Sequence, residues 1–227
     1  MGVPRHQAGP GAEGGQPALR LGVLAIQGDF EAHRRMLSSL GAEVAEVRTA
    51  AQMRALDGLV IPGGESTTIS KGMARDGLDH AVREHAKVGR PILGCCAGMI
   101  VCDRDHLGLG DYLCRRNAFG RQRQSFERDL RLEGVGDEPL RGVFIRAPWV
   151  ERHGPGVEVL AEVDGHPVAV RDRGLLAVAF HPELTDDSRL HALFMAMCTS
   201  STRTSSASRP GVRDGGADGV GTVGGPE

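Results

Sequence analysis

Pro91-Ile92-Leu93-Gly94-Cys95-Cys96-Ala97-Gly98 has the pattern of a strand that breaks into a helix around one residue. The apolar run at 91–93 leads in, and 97–101 leads out with helical character. Gly-x-Cys-x-Gly between them predicts a sharp strand-to-helix turn that lifts its central side chain above the sheet edge. The free amides at the start of the next helix aim at the same point. A thiol there stands at the positive end of a helix dipole, which favours the reactive thiolate. Cys96 is therefore the candidate nucleophile, and it needs a base and an oxyanion site.

Outward from this turn, apolar strands alternate with helices. Residues 19–26 read as a buried strand closed by Gln27-Gly28-Asp29. Asp29 is placed to cap a helix with Phe30, Met36, Leu37 and Leu40 on its apolar face, ending at Gly41. Residues 43–47 and 58–61 are further strands, the latter stopping at Pro62-Gly63-Gly64. Helices are expected at 69–75 and 78–86, with Ser66 or Thr67 as cap of the first, before the strand at 91–93. This order predicts an α/β fold with a mainly parallel sheet flanked by helices. Sites in such sheets form at the carboxyl ends of strands, where Gln27, Gly63-Gly64 and Cys96 all fall. The second half reads as short strands at 112–116, 125–132, 142–145, 157–163, 167–170 and 175–179, then a helix at 187–197.

Among 227 residues, 40% are hydrophobic and 25% charged, as in a globular protein of one domain. Residues 1–18 and 199–227, rich in Gly, Pro, Ser and Thr, are expected to be disordered tails around a folded unit at 19–198. A net charge of −2 offers no reason to expect nucleic acid or an anionic membrane as partner. No apolar run has membrane-span length and no signal-peptide core is evident, so a cytoplasmic location is expected. The five cysteines include no CxxC pair, so neither disulfides nor a metal site is indicated, and no cofactor is expected. Cys102, Cys114 and Cys198 read as inert core thiols. His33, His80, His85, His106, His153, His166 and His191, unlike His181, read as surface or satisfied core.

His181 follows the apolar run at 175–179 in Phe180-His181-Pro182-Glu183, so its imidazole belongs at a strand end, as the nucleophile does. Glu183 is placed to hold that imidazole in one tautomer, giving a Cys96-His181-Glu183 triad. The glycines of Pro62-Gly63-Gly64-Glu65-Ser66 let the backbone approach a ligand closely. One of their amides, from Gly64, with that of Ala97 would form the oxyanion donor pair.

Gly-x-Cys-x-Gly, Pro-Gly-Gly-Glu and His-Pro-Glu, in this order, resemble the class I (triad) glutamine amidotransferases. Gln27-Gly28-Asp29, 62–68 (PGGESTT), 116–122 (RNAFGRQ), 144–148 (FIRAP) and 180–185 (FHPELT) narrow the resemblance. They are similar to the glutaminase subunits of pyridoxal 5'-phosphate synthase, the PdxT family, over about 21–197. The resemblance implies a flavodoxin-like three-layer fold and hydrolysis of L-glutamine to glutamate and ammonia for vitamin B6 biosynthesis. It implies delivery of that ammonia to a TIM-barrel synthase subunit in a hetero-oligomer. Carried over, it makes Gly63, Gly64, Glu65, Arg116, Ile145 and Arg146 the glutamine contacts and places Gln27 near the synthase interface. The triad alone also fits another class I glutaminase, such as the imidazole glycerol phosphate synthase subunit, or a silent docking homologue. The RNAFGRQ and FIRAP stretches favour the vitamin B6 enzyme. This chain departs from the family at Cys95, where threonine is usual, in a shortened segment at 101–107, and in its longer tails.

Overall fold

The computed structural model describes residues 18–120 and 125–207, without the side chains of 204–207. Residues 1–17 of the expected tail at 1–18, residues 208–227 of the one at 199–227, and Arg121-Gln122 of the RNAFGRQ stretch lie outside the described residues.

The first strands are β1 (Arg20–Leu24), β2 (Glu43–Val47), β3 (Gly58–Ile61) and β4 (Ile92–Cys95). Helices α1 (Phe30–Ser39), α2 (Ser66–Arg75), α3 (Leu78–Lys87) and the short α4 (Ala97–Cys102) connect or follow them. The second half supplies β5 (Tyr112–Arg115), β6 (Ser125–Leu130), β7 (Leu140–Ile145) and β8 (Trp149–His153). It continues through β9 (Glu158–Val163), β10 (His166–Asp172), β11 (Leu175–Val178) and helix α5 (Arg189–Ala207). The strand β8 was not anticipated from the sequence.

A seven-stranded sheet runs β2-β1-β3-β4-β11-β10-β9. β1, β2, β3, β4 and β11 are mutually parallel, and β10 and β9 add an antiparallel edge. Strands β3, β4 and β11 are buried at every position, as expected where helices cover both faces. Burial of side chains such as Leu59, Ile61, Leu93 and Leu176 contributes about 1.5–3 kcal/mol each. Two small antiparallel sheets, β5-β8 and β6-β7, stand beside the main one.

Local chemistry fixes the helix ends. The Asp29 carboxylate accepts from the Ala32 amide at 3.1 Å and caps α1 as the sequence predicts. For α2 the expected Ser66 or Thr67 cap is corrected. The Glu65 carboxylate accepts from the amides of Thr67 (3.2 Å) and Thr68 (2.8 Å), so the helix starts earlier than expected. Helix α5 runs past the expected boundary at 198. Thr199, Ser200 and Thr202 donate their hydroxyls to carbonyls four residues back, and Ser201 donates to Gly89 O at 2.7 Å. Small polar residues that suggest a tail are thus satisfied within a docked helix.

The short segment after α4 closes around Asp103, which is 2% exposed. Its carboxylate accepts from the amides of Asp105 (3.0 Å) and Cys114 (3.1 Å) and faces His106 Nδ1 at 2.7 Å. Leu107 N donates to Val101 O, and Leu109 N and Gly110 N both donate to Cys102 O. Few residues suffice because one buried carboxylate satisfies the turn and ties it to β5. Asp103→Ala orphans buried donors and is expected to lower the unfolding free energy by about 3 kcal/mol in urea denaturation. Asp103→Asn is expected to lose less.

Candidate active site

The strand order sets the site. Loops after β1, β3, β4 and β11 are neighbours, so Gln27, Gly63-Gly64, Cys96 and His181 line one sheet edge. Register keeps the strand ends level, with Ile61 opposite Gly94 and Val178 opposite Cys95.

Cys96 stands at φ 48°, ψ −103°, between β4 and α4, and its amide donates to Val178 O at 2.8 Å. A non-glycine residue in this region is strained and persists only where its surroundings enforce it. Asn117 (φ 47°) and Arg146 (φ 46°), in two other motif stretches, share the left-handed region. The bracketing glycines are steric necessities. A Cβ on Gly98 would lie 2.0 Å from Ile61 O, and one on Gly94 would lie 2.8 Å from Gly98 O. The Cys96 thiol lies 3.8 Å from Ile145 O and is 7% exposed as a residue.

His181 follows β11, and its amide donates to Val143 O at 2.9 Å, which fixes it to β7. Its Nδ1 lies 2.8 Å from Glu183 Oε1, the carboxylate coming from the 3-10 turn Pro182–Leu184. Burial pushes the imidazole down, but hydrogen bonds and charge from Cys96 and Glu183 outweigh it and raise it to about 10. Burial would likewise raise the Glu183 carboxyl, yet His181 and His33 hold it well below the usual carboxylate range. Gly63 packs against the same ring, since a Cβ there would sit 2.4 Å from His181 Cε1. Four of the six phenylalanines brace this edge. Phe126 stacks on Phe144 at 4.6 Å, Phe119 meets both edge-on, and Phe144 touches Phe180, the residue before His181.

Gln27 Oε1 accepts from Glu65 N at 3.2 Å and so braces the Gly63-Gly64 loop from β1. Glu65, besides capping α2, pairs with Arg116 Nη2 at 3.0 Å, and Arg116 Nη1 lies 3.5 Å from Thr67 Oγ1. The Thr68 and Thr67 donors lower the Glu65 carboxyl to about 2. Ile145 ends β7 with its carbonyl beside the Cys96 thiol, and Arg146 follows it in the chain. The predicted site residues therefore converge on one sheet edge, with Glu65 already engaged as a cap.

Two histidines read as bland core or surface belong to this site. His33 of α1 and His191 of α5 are fully buried, His33 Nε2 lying 3.3 Å from Glu183 Oε2 and His33 Nδ1 2.9 Å from His191 Nε2. The available signal was their position on the buried faces of amphipathic helices, beside Leu37 and Leu190. Among the described residues, His33, Cys95 and Glu183 bring three metal-capable atoms within 4.8 Å of one another. Burial holds the Cys95 thiol well above its ordinary value, and both carboxylate oxygens face imidazoles, so the cluster reads as a hydrogen-bonding relay. A separate cavity of about 500 Å³ lies at the amino ends of β4 and β11. Its Arg83 and Arg173 are engaged by Asp79, Asp172 and main-chain carbonyls.

Residues 23–200 match the SNO glutamine amidotransferase family. The chain is 50% identical over 186 residues to the PdxT component of the pyridoxal 5'-phosphate synthase of Niallia circulans, covering 79% of this chain and 97% of that protein. It is 52% identical over 191 residues to the PdxT component of Frankia alni, covering 80% and 96%. A crystal structure of a glutamine amidotransferase matches with TM-score 0.74 at 45% identity, over 79% of this chain and 98% of the other. A putative GMP synthase component from Thermoplasma acidophilum shares the fold, with TM-score 0.68 at 18% identity over 85% and 100%. Fold and relatives define a class I glutamine amidotransferase. The chain belongs to the SNO glutamine amidotransferase family. Among the described residues, no helix is long and apolar enough to cross a membrane.

Two outcomes follow from the electrostatics. His181's folded value lies above its unfolded 6.5, so its contribution to stability is complete below pH 6.5 and lost as the pH rises through about 10. Glu183's folded value lies below its unfolded 4.5, so its contribution is complete above pH 4.5 and lost in strong acid. The stability lost in a His181→Phe protein is thus expected to be greatest between pH 4.5 and 6.5 and to shrink towards pH 10, measured by urea denaturation. Burial also raises the Cys95 and Cys102 thiols. Iodoacetamide on the native protein is therefore expected to label Cys96 and spare both, as read by peptide mass.

Proposed function

We propose that this chain is the glutaminase subunit of a pyridoxal 5'-phosphate synthase, hydrolysing L-glutamine and passing ammonia to its synthase partner. The observation that carries the chemistry is Cys96 on a strained turn beside the 2.8 Å His181–Glu183 pair. The PdxT relatives, about 50% identical over about four-fifths of this chain, favour this synthase over other class I partners.

In this reading the Cys96 thiol proton already rests on His181 before glutamine binds, and the thiolate attacks the side-chain amide carbon of glutamine. A C–S bond forms, and the oxyanion is met by the amides of Gly64 and Ala97, the latter without an intrahelical acceptor at the start of α4. The C–N bond then breaks as His181 returns its proton to the leaving ammonia. Water, activated by the same imidazole, cleaves the thioester to glutamate and restores the thiol. Glu183 keeps Nδ1 of His181 protonated and its ring oriented throughout. The reaction as written needs no cofactor and no metal.

Gly63, Gly64, Glu65, Arg116, Ile145 and Arg146 hold the substrate. Glu65 suits its α-ammonium, and Arg116 with Arg146 its α-carboxylate. Because Glu65 and Arg116 already pair at 3.0 Å, a zwitterion entering between them exchanges one ion pair for two. Gln27, adjoining this loop, faces the synthase, a TIM-barrel subunit in a hetero-oligomer. Five free cysteines suit a cytoplasmic location for the assembly.

Glutamate release from the chain mixed with its synthase tests the proposal, and silence of the mixture would sink it. Cys96→Ala is expected to lower turnover by at least about 10³-fold while leaving docking intact. Cys95→Ala is expected to retain most activity.

A further inference from the structure

The triad uses only one oxygen of Glu183. Its Oε1 meets His181 Nδ1, whereas Oε2 lies 3.3 Å from His33 Nε2 in an interior where both side chains are essentially inaccessible. Among the described residues neither Oε2 nor His33 Nε2 makes a formal hydrogen bond, with each other or elsewhere, and the 3.3 Å approach pairs them only as an ion-pair contact. Each therefore has only the other to offset its loss of water. Behind them, His33 Nδ1 meets His191 Nε2 at 2.9 Å, and His191 Nδ1 has no partner among the described residues. Three separate elements thus converge on one carboxylate: the Pro182–Leu184 turn, α1 and α5.

We propose that His33, locked in one tautomer by His191, is a positioning residue that holds Glu183 Oε2 so that Oε1 stays aimed at His181. The inference rests on the reading of Cys96, His181 and Glu183 as the catalytic groups. Among the described residues no hydrogen bond or ion pair joins His33 to the nucleophile or the glutamine contacts, so it acts through the carboxylate.

The tautomer follows from counting protons. If His33 Nε2–H donates to Glu183, its bare Nδ1 accepts from His191 Nε2–H, and His191 Nδ1 is left with an unused lone pair. In the reverse arrangement a doubly protonated His33 donates both ways, which leaves a buried N–H on His191 Nδ1 orphaned. An unused acceptor is the more tolerable defect, since orphaned buried donors are rarer. Burial, with the nearby His33, lowers His191 to about 3, which keeps it neutral in either arrangement. The groups facing Glu183 are His181 from its own turn, His33 from α1, His191 from α5, and the Cys95 thiol from the end of β4. His33 Nε2–H is thus the donor that α1 brings to the second oxygen. Long or poorly aligned contacts of this kind in unliganded sites tighten as charge develops in the reaction.

The wild-type chain and its His33→Leu and His33→Gln variants, each with the synthase, are assayed for glutamate release across a pH series. His33→Leu removes the donor at similar volume. It is expected to lower kcat about 10- to 100-fold, the worth of a hydrogen bond to a charged group, with KM within about two-fold. The acid limb of its kcat profile is expected to move to higher pH, because a carboxyl that has lost a donor titrates higher. His33→Gln offers an amide N–H in place of Nε2–H and is expected to recover most of kcat and the wild-type acid limb. A His33→Leu enzyme with unchanged kcat, or a His33→Gln enzyme no better than His33→Leu, overturns the proposal. Nitrogen-15 spectra of the histidine-labelled full chain test it without any variant. Neutral His33 and His191, each protonated on Nε2, support it, and a cationic His33 or an Nδ1–H tautomer overturns it. A wild-type enzyme silent with its synthase would refute the functional reading, and the tautomer assignment would still be decided by the spectra.

Discussion

Cys96 can hold φ 48°, ψ −103° only because the backbone around it comes unusually close. Its amide is tied to Val178 O on the neighbouring strand, and the Ile61 carbonyl of β3 presses into the space where Gly98 lacks a side chain. Three parallel strands therefore have to end at one level, and the helix after Cys96 has to start against the middle of the sheet. Almost everything else in the site follows from this. The Gly63-Gly64 loop comes from the strand on one side, and the His181 imidazole from the strand on the other.

The chemistry is assembled against a desolvation cost. Burial alone would neutralise both His181 and Glu183, and each is kept charged by the other and by Cys96 and His33. Such a pair is worth little to stability when intact and costs several kcal/mol, about 3–5, when one partner is removed. A buried charged pair of this kind therefore points to function rather than to folding. The aromatic cluster of Phe119, Phe126, Phe144 and Phe180 makes the complementary contribution. It anchors the small β6-β7 sheet beside His181, so the walls of the site rest on rigid contacts.

Much of this was legible in the residues. Strands at 43–47 and 58–61 coincide with β2 and β3, the first alternating Glu with apolar residues and the second an apolar run bounded by Gly and Pro. The strand β8 escaped because Glu151-Arg152-His153 is exposed and lacks an apolar alternation, its pairing with β5 being irregular. The extra length of α5 escaped because Ser and Thr favour tails unless their hydroxyls find carbonyls, as Thr199, Ser200 and Thr202 do. Glu65 was read as a ligand contact, and local geometry first makes it the cap of α2.

By itself the sequence determined the sharp turn at Cys96, the grouping of Cys96, His181 and Glu183 at strand ends, the glycine loop and the parallel α/β order. Each is encoded in short stretches where local sterics or a strand's apolar pattern leaves one outcome. Only the tertiary structure decided what stands behind Glu183. His33 and His191 are 158 positions apart, and nothing local to either predicts a 2.9 Å contact between their rings. That contact exists because α1 and α5 bury their apolar faces near the turn that carries Glu183. Burial then leaves each polar atom only the partners that the packing happens to bring.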